Sequence, residues 1–435
     1  MGKLKILIIA DEVWNDTLHG NNVLTNWFNG FDAEFAQIYC SPGTPKNYCC
    51  ENYFQITDSM MVKSVFGKRA GRKFKMSLPD MQCDIVQNSA EQIPTSFYNF
   101  MKSIAGEGIR AVRDFIWLLG KYDKKGMQQF IDDFQPDIVF CPRLLTPKLL
   151  RLERIVAKMT DASFVAFTAD DEASLMQVSY SPIYWLRRLL FRKAFQKHVK
   201  IYKHYFTFSE EQADKYFLEY GIPSSTLYKS GSFDSEPIVK AHTGPLKLVY
   251  AGRLYCNRWK TLAAIGKALQ EINREGIKMT LDIYTQEKVN SKQLKALSPN
   301  NYLRINKGVS PDELVQIYSQ ADIALHVESF DKKYRYATRV SFSTKIIDLM
   351  ASSCAILAIC WEEHAGYQYL KKHNAAFCVS NIGDIKDMLL GIVENLDLIY
   401  QFATKAWNCG TRNHNPKLIS KQIQDTFENI VTKKI

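Results

Sequence analysis

Short unbroken apolar runs alternate, almost from end to end of the chain, with longer stretches whose apolar positions recur every three or four residues. An unbroken run marks a strand buried on both faces, and the wider spacing marks a helix with one apolar side. In the first half, strands are predicted at Lys5–Ala10, Glu34–Tyr39, Asp137–Cys141, Ser163–Thr168 and Tyr205–Ser209. Gln135-Pro136-Asp137 stops a helix just before the third of these, because proline cannot continue the helical ladder. In the second half, strands are predicted at Leu246–Ala251, Met279–Tyr284, Tyr302–Ile305, Ile323–Val327, Ala355–Ile359 and Ala376–Val379. Helices at Lys260–Glu275, Pro311–Ser319, Thr344–Ser352, Gly366–His373 and Asp384–Leu396 fill the gaps. Alternation of this kind builds a parallel sheet with crossover helices.

The segment Phe233–Pro245 is polar and holds Pro237, Gly244 and Pro245, which makes it the linker of the chain. It separates a domain over 1–235 from a second over 243–405. The fold class is therefore α/β, with two facing Rossmann-like doubly wound domains. Such a pair leaves a cleft at the carboxyl ends of the strands, where these sheets bind ligands. The tail from Leu398 reads as helical and adds no strand, so a last helix over 412–435 is expected to pack back on the first domain.

Composition agrees with two or three domains in 435 residues. Hydrophobic residues are 46%, against 21 Gly and 14 Pro, which excludes a disordered chain. No apolar run reaches the roughly 18–20 residues that span a bilayer. The run Ile6–Ala10 meets Asp11-Glu12 at once, which is no signal peptide. The ten cysteines are scattered without a C-x-x-C pair and read as reduced core thiols of a cytoplasmic protein.

Charge changes the picture more. The net charge of +11 raises two partners, nucleic acid and an anionic membrane. No helix-turn-helix, RNP, KH or zinc-finger pattern is present, so nucleic acid is the weaker reading. From Ala173 to Ser209 there is no acidic residue, and Arg187, Arg188, Arg192, Lys193, Lys197, Lys200 and Lys203 fall among Trp185, Leu186, Leu189, Leu190, Phe191 and Phe195. Spacings of three and four set Leu186, Leu189 and Leu190 on one helical face. Residues 183–204 thus suit an anionic membrane surface, and the protein would sit peripherally on the inner face of the membrane. The competing reading is a docked helix whose arginines are simply solvated. A second basic cluster, Lys63 to Lys75, lies in the same half.

Candidate chemistry concentrates in the second half. In Leu248-Val249-Tyr250-Ala251-Gly252-Arg253-Leu254 a strand ends at a glycine, and Lys260 follows at the start of a helix. Gly252 permits a close approach, and Arg253 and Lys260 could neutralise a diphosphate near a helix N-terminus. Farther on, the strand Ile323–Val327 runs into Glu328-Ser329-Phe330, and Ser343-Thr344-Lys345 opens a helix that carries Asp348. Ser343 or Thr344 would cap that helix, leaving N–H groups for a phosphate, and Asp348 would reach a ribose.

These residues resemble the retaining glycosyltransferases of the family-4 type, which have the glycosyltransferase-B fold. Gly252-Arg253 with Lys260, Glu328-Ser329-Phe330, and Ser343-Thr344-Lys345 with Asp348 and Ala351 carry the resemblance, which covers the second half. It implies that Arg253 and Lys260 hold a donor diphosphate, that Glu328 contacts the donor sugar region, and that Asp348 binds the ribose. The family's paired acids are usually two glutamates about eight residues apart. Here Glu328 and Asp348 stand much farther apart, and Asp331 to Val340, with four basic residues, reads as an inserted loop. In the first half, Leu18-His19-Gly20-Asn21-Asn22 resembles the family's glycine loop, with Gly20, Asn21 and His19 as substrate contacts. The strand ending at Thr168 meets Ala169-Asp170-Asp171-Glu172 where many relatives carry a histidine. Asp170 or Asp171 could orient an acceptor hydroxyl or stabilise the cationic anomeric carbon, or could merely cap a helix. No D-x-D motif occurs, so no metal and no other cofactor is expected. The function implied is transfer of a sugar from a nucleotide-sugar donor to a saccharide or lipid-linked saccharide acceptor in cell-surface polysaccharide synthesis. A nucleic-acid-binding protein and a sugar-nucleotide epimerase of the same fold are the alternatives.

Overall fold

The computed structural model describes residues 3–17, 23–76, 106–143, 146–171, 173–239 and 244–432. It falls into two compact units. The first comprises 1–175, 179–227 and 419–435, and the second comprises 176–178 and 228–418.

The first unit is built on β1 (Leu4–Ala10), β2 (Ala33–Tyr39), β3 (Asn52–Gln55), β4 (Arg72–Lys75), β5 (Ile138–Arg143), β6 (Ser163–Thr168), β7 (Tyr202–Thr207) and β8 (Ser224–Thr226). Their order in the sheet is β4-β3-β2-β1-β5-β6-β7-β8, all parallel except β4. The order reverses between β1 and β5, as in a doubly wound sheet. Ile6 to Ile9 and all of β6 are buried, as expected for strands covered on both faces. β4 is an edge strand with three cationic side chains in its four residues, a composition that discourages pairing with another sheet. Trp27, Phe28, Phe140, Phe167 and Phe208 form one aromatic core layer, and Phe427 of the terminal helix Pro416–Thr432 packs 5.9 Å from Phe140.

The second unit carries β9 (Leu246–Ala251), β10 (Met279–Thr285), β11 (Leu303–Lys307), β12 (Ile323–Val327), β13 (Ala355–Ile359) and β14 (Phe377–Val379). Their order is β11-β10-β9-β12-β13-β14, all parallel. This is a six-stranded Rossmann sheet, and β9 and β12 flank its switch point.

Two boundaries differ from those read in the sequence. The division between units falls at Leu227–Tyr228 rather than in the polar segment after Phe233. Tyr228 packs against Phe342 and Tyr369 at 4.9 and 5.4 Å, and the Phe233 ring lies on Gly410, so this stretch already belongs to the second core. Asp331 to Val340, read as a loop, contains the helix Lys332–Thr338, which buries none of its residues.

Candidate functional site

The strands β9 and β12 end side by side at the switch point of the second sheet, so the segments leaving them share one edge. Beyond β9 the chain passes through Cys256 and Asn257, both in the left-handed region at φ 54° and 61°. Residues with a Cβ adopt it at a cost of roughly 1–2 kcal/mol each, which the surrounding packing must offset. The helix Arg258–Ile272 starts immediately after this bend. Its first side chain, Arg258, grips Glu328 with two parallel hydrogen bonds, Nη2 to Oε1 at 2.6 Å and Nε to Oε2 at 2.9 Å. Both side chains are largely buried, at 15% and 4% exposure. Burial opposes the guanidinium's charge, but the Glu328 carboxylate outweighs it and holds the pKa above its ordinary value. Glu328 is held further by its backbone, whose carbonyl accepts from Thr261 Oγ1 at 2.7 Å.

Lys345 reaches the same place from another element. Its Nζ donates to the Ala251 carbonyl at 3.0 Å, crossing directly over Gly252. A Cβ on residue 252 would stand 2.5 Å from that Nζ and 3.0 Å from the Tyr250 hydroxyl. A side chain here would displace the lysine that crosses it. Crowding by protein lowers the Lys345 pKa, although its tip meets solvent, and Arg258 and Arg253 add to the shift. Arg253 is exposed, and its guanidinium makes no hydrogen bond or ion pair among the described residues. Arg258 thus pairs with Glu328, and Lys345 lies near enough to be acted on by Arg258, Arg253 and Glu328 together. Such a group repels itself unless an anion joins it.

Asp348 lies one turn along the helix Lys345–Ala351, on the face of Lys345. Its Oδ1 accepts from Lys229 Nζ at 3.3 Å, and loss of hydration raises its pKa, with Lys229 opposing. Ser343 and Thr344 do not cap this helix with their side chains. Instead their carbonyls accept from the Ile346 and Ile347 amides, at 3.0 and 3.2 Å. The Arg258 and Lys260 amides likewise bond to Tyr255 and Asn257. The helix starts therefore offer fewer open N–H groups than the sequence suggested.

Lys260 stands apart from this cluster. Its Nζ pairs with Asp331 at 2.7 Å, half exposed, and Asn257 Nδ2 bonds the same carboxylate at 2.6 Å. The hydrogen bond from Lys260 holds the Asp331 carboxyl below the usual range. Arg258, which sequence reasoning passed over, is the cation that pairs with Glu328. Two residues along a helix turn the side chain by about 200°, so the two cations face opposite ways. The available signal was Arg258 itself, a cation at the first helical position after the glycine loop.

Behind Glu328, on the same face of β12, lies His326. It is buried, its Nε2 has no hydrogen-bond partner among the described residues, and its ring is 5.8 Å from that of His364. His364 Nδ1 accepts from the Gly366 and Tyr367 amides, capping the helix Ala365–Lys372. Burial pushes both imidazoles down to about 3, so both are neutral near pH 7. The indole Nε1 of Trp361, 5.0 Å from His364 ring to ring, is also buried and unpartnered. Two polar atoms thus stand buried and unpartnered near the ion pair.

In the first unit, Asp171 is buried and its Oδ1 accepts from the Ser174 amide at 3.0 Å, which fixes its loop. Asp170 is exposed, and its carbonyl accepts from Thr168 Oγ1 and Gln212 Nε2, both at 3.1 Å. Of the two acids, Asp170 is the exposed residue. His19, Gly20 and Asn21 lie outside the described residues. At this unit's own switch point a buried ion pair, Lys148 on Asp11, was not anticipated from sequence. Among the described residues no group of three or more His, Cys, Asp or Glu is placed to hold a metal ion.

No family model matches the sequence, and no curated protein matches it. Solved structures match over its whole length. Anabaena HepE in complex with UDP superposes with a TM-score of 0.61 at 11% identity, covering 98% of this chain and 100% of that one. Sucrose-phosphate synthase from Thermosynechococcus elongatus superposes at 0.64 with 10% identity, covering 99% and 100%. The chain has the glycosyltransferase-B fold. OtsA matches too, at a TM-score of 0.59 and 10% identity over 97% of this chain and 99% of that one. Within a glycosyltransferase-B fold, the Arg258–Glu328 site occupies the switch point of the second Rossmann-like unit.

Proposed function

We propose that the protein is a glycosyltransferase that moves a sugar from a nucleoside-diphosphate sugar to a saccharide or lipid-linked saccharide acceptor, with retention and without a metal. The observation that carries this reading is that the Arg258–Glu328 pair and Lys345, itself within the field of Arg253, meet at the carboxyl ends of β9 and β12. A full-length structural neighbour was solved with UDP and glucose, which supports a nucleotide-sugar donor. Its low identity carries the fold and leaves the substrate to be tested.

In the step proposed, the bond between the anomeric carbon and the diphosphate oxygen breaks. The acceptor oxygen joins that carbon, and its proton passes to the departing diphosphate oxygen. Negative charge grows on the leaving diphosphate, and Arg253, Lys345 and Arg258 would stabilise it where water is partly excluded. Glu328 balances Arg258 and faces the sugar side, where positive charge develops. Asp348 would take a ribose hydroxyl, exchanging its contact with Lys229. Asp170 is the acid proposed for the acceptor, with Asp171 holding its loop. Gly252 makes room for Lys345, and Ser343 and Thr344 form the turn that presents it. Cell-surface polysaccharide is the product class this reading favours, and the basic helix Pro182–His198 suits an acceptor held in a membrane.

The test is calorimetric titration of UDP, GDP, ADP, CMP and a short RNA into wild type and Arg258→Ala. One nucleoside diphosphate binding the wild type and not the variant supports the reading. Binding of RNA alone, or equal nucleotide binding by both proteins, overturns it.

A further inference from the structure

The helices Gly106–Leu119 and Pro182–His198 of the first unit carry large apolar side chains that the fold leaves in solvent. Phe115 and Leu118 on the first are 57% and 64% exposed, and Leu186 and Leu190 on the second are each 60% exposed. Val112, Leu119, Ile183 and Leu189 add to them. Arg187 joins the two helices through Asp114, its Nη2 donating to Oδ2 at 2.6 Å. Phe115, Leu118 and Leu190 line one open cavity of about 1120 Å³, so the two faces are continuous. An apolar surface of this extent on a soluble unit marks a place of association.

The charges around it identify the partner. The arginines of the basic helix are engaged inside the unit: Arg187 on Asp114, Arg188 on the Ser174 and Asp171 carbonyls, and Arg192 on Glu219 and the Ala173 carbonyl. Phe191 and Phe195 point into the core. The outward stripe runs Ile183, Leu186, Leu190, Lys193, Lys197, Lys200, apolar at one end and cationic at the other. These three lysines make no hydrogen bond or ion pair among the described residues, and no acid occurs from Ala173 to Ser209. Leucines to bury and lysines to reach past them fit headgroups over an acyl layer.

We propose that this two-helix surface docks the protein on an anionic lipid bilayer, with Phe115, Leu118, Leu186 and Leu190 in the interface and Lys193, Lys197 and Lys200 on the phosphates. Docking needs no nucleotide, so it stands or falls apart from the transferase reading. The sequence alone spread this role over the arginines, the lysines, the leucines and Trp185 of one helix. The structure narrows it to the lysines and leucines and adds a second helix, since the Trp185 indole is already bonded to the Ser179 carbonyl at 2.8 Å.

The experiment is co-sedimentation of the full chain with phosphatidylcholine vesicles, with or without about 30% phosphatidylglycerol, at low and high salt. Wild type should bind only the anionic vesicles and release at high salt. Lys193→Glu/Lys197→Glu/Lys200→Glu should weaken partitioning roughly hundredfold, from about 1 kcal/mol per lysine near the surface. Leu186→Glu/Leu190→Glu should also abolish binding. Circular dichroism should show both variants folded, because every changed residue is exposed. The proposal is overturned if wild type ignores anionic vesicles, or if the leucine variant binds as wild type does. It is equally overturned if wild type is a dimer that the leucine variant splits, since the surface would then belong to a second copy.

Discussion

Arg258 and Lys260 are two residues apart, and the structure gives them opposite fates. Replacing Arg258 by Ala leaves Glu328 buried without its partner, which should cost about 3–5 kcal/mol in a denaturant titration and weaken nucleotide binding at least about tenfold. Lys260→Ala breaks a half-exposed pair and should cost about 1 kcal/mol or less, with binding little changed. If calorimetry and unfolding rank the two the other way, the site is misassigned. Gly252→Ala sets a methyl against the tip of a flexible lysine, so stability should hold while nucleotide binding falls. The histidines give a pH dependence. His326 and His364 near 3, and His204 and His414 near 4, lie below the unfolded value of about 6.5. The unfolded chain therefore binds more protons as pH falls through that window. Stability should be full above about pH 6.5 and decline toward pH 4, measured as Tm from pH 7.5 downward, and His326→Asn should flatten the decline. Glu328 was legible because it follows an unmistakable buried strand. Arg258 was not, because its direction depends on two left-handed residues that no pattern announces.

At the scale of elements, β6, β9, β12 and β13 were legible to the residue, since an unbroken apolar run has no other use in a doubly wound sheet. The basic helix shows where such reading stops. Period alone put Leu186, Leu189 and Leu190 together, which holds, but it could not say whether that face or the phenylalanine face meets the core. The sheet decides, taking Phe191 and Phe195. Phe195→Ala should therefore cost about 3–5 kcal/mol, while Leu189→Ala should stay within roughly 0.5 kcal/mol, as equilibrium unfolding would show. The short strands β3, β4 and β8 toward the two ends of the first sheet escaped prediction, with four or fewer residues and little period to count.

For the whole molecule, the return of the chain to the first unit has a consequence. Phe427 is fully buried and packs on Phe140 from about two thirds of the chain away. Phe427→Ala should lower the stability of the first unit by about 3–5 kcal/mol, while a nucleotide should stabilise the second unit. Two separable thermal transitions, each moved by one perturbation, would show it. The fold class of this protein and its parallel sheets were determined by the sequence, because burial period and glycine or proline punctuation are local properties. Which cation meets Glu328, which face of the basic helix stays outside, and where one unit ends were decided only by tertiary structure. Each depends on what packs opposite a side chain, and that partner lies tens to hundreds of residues away.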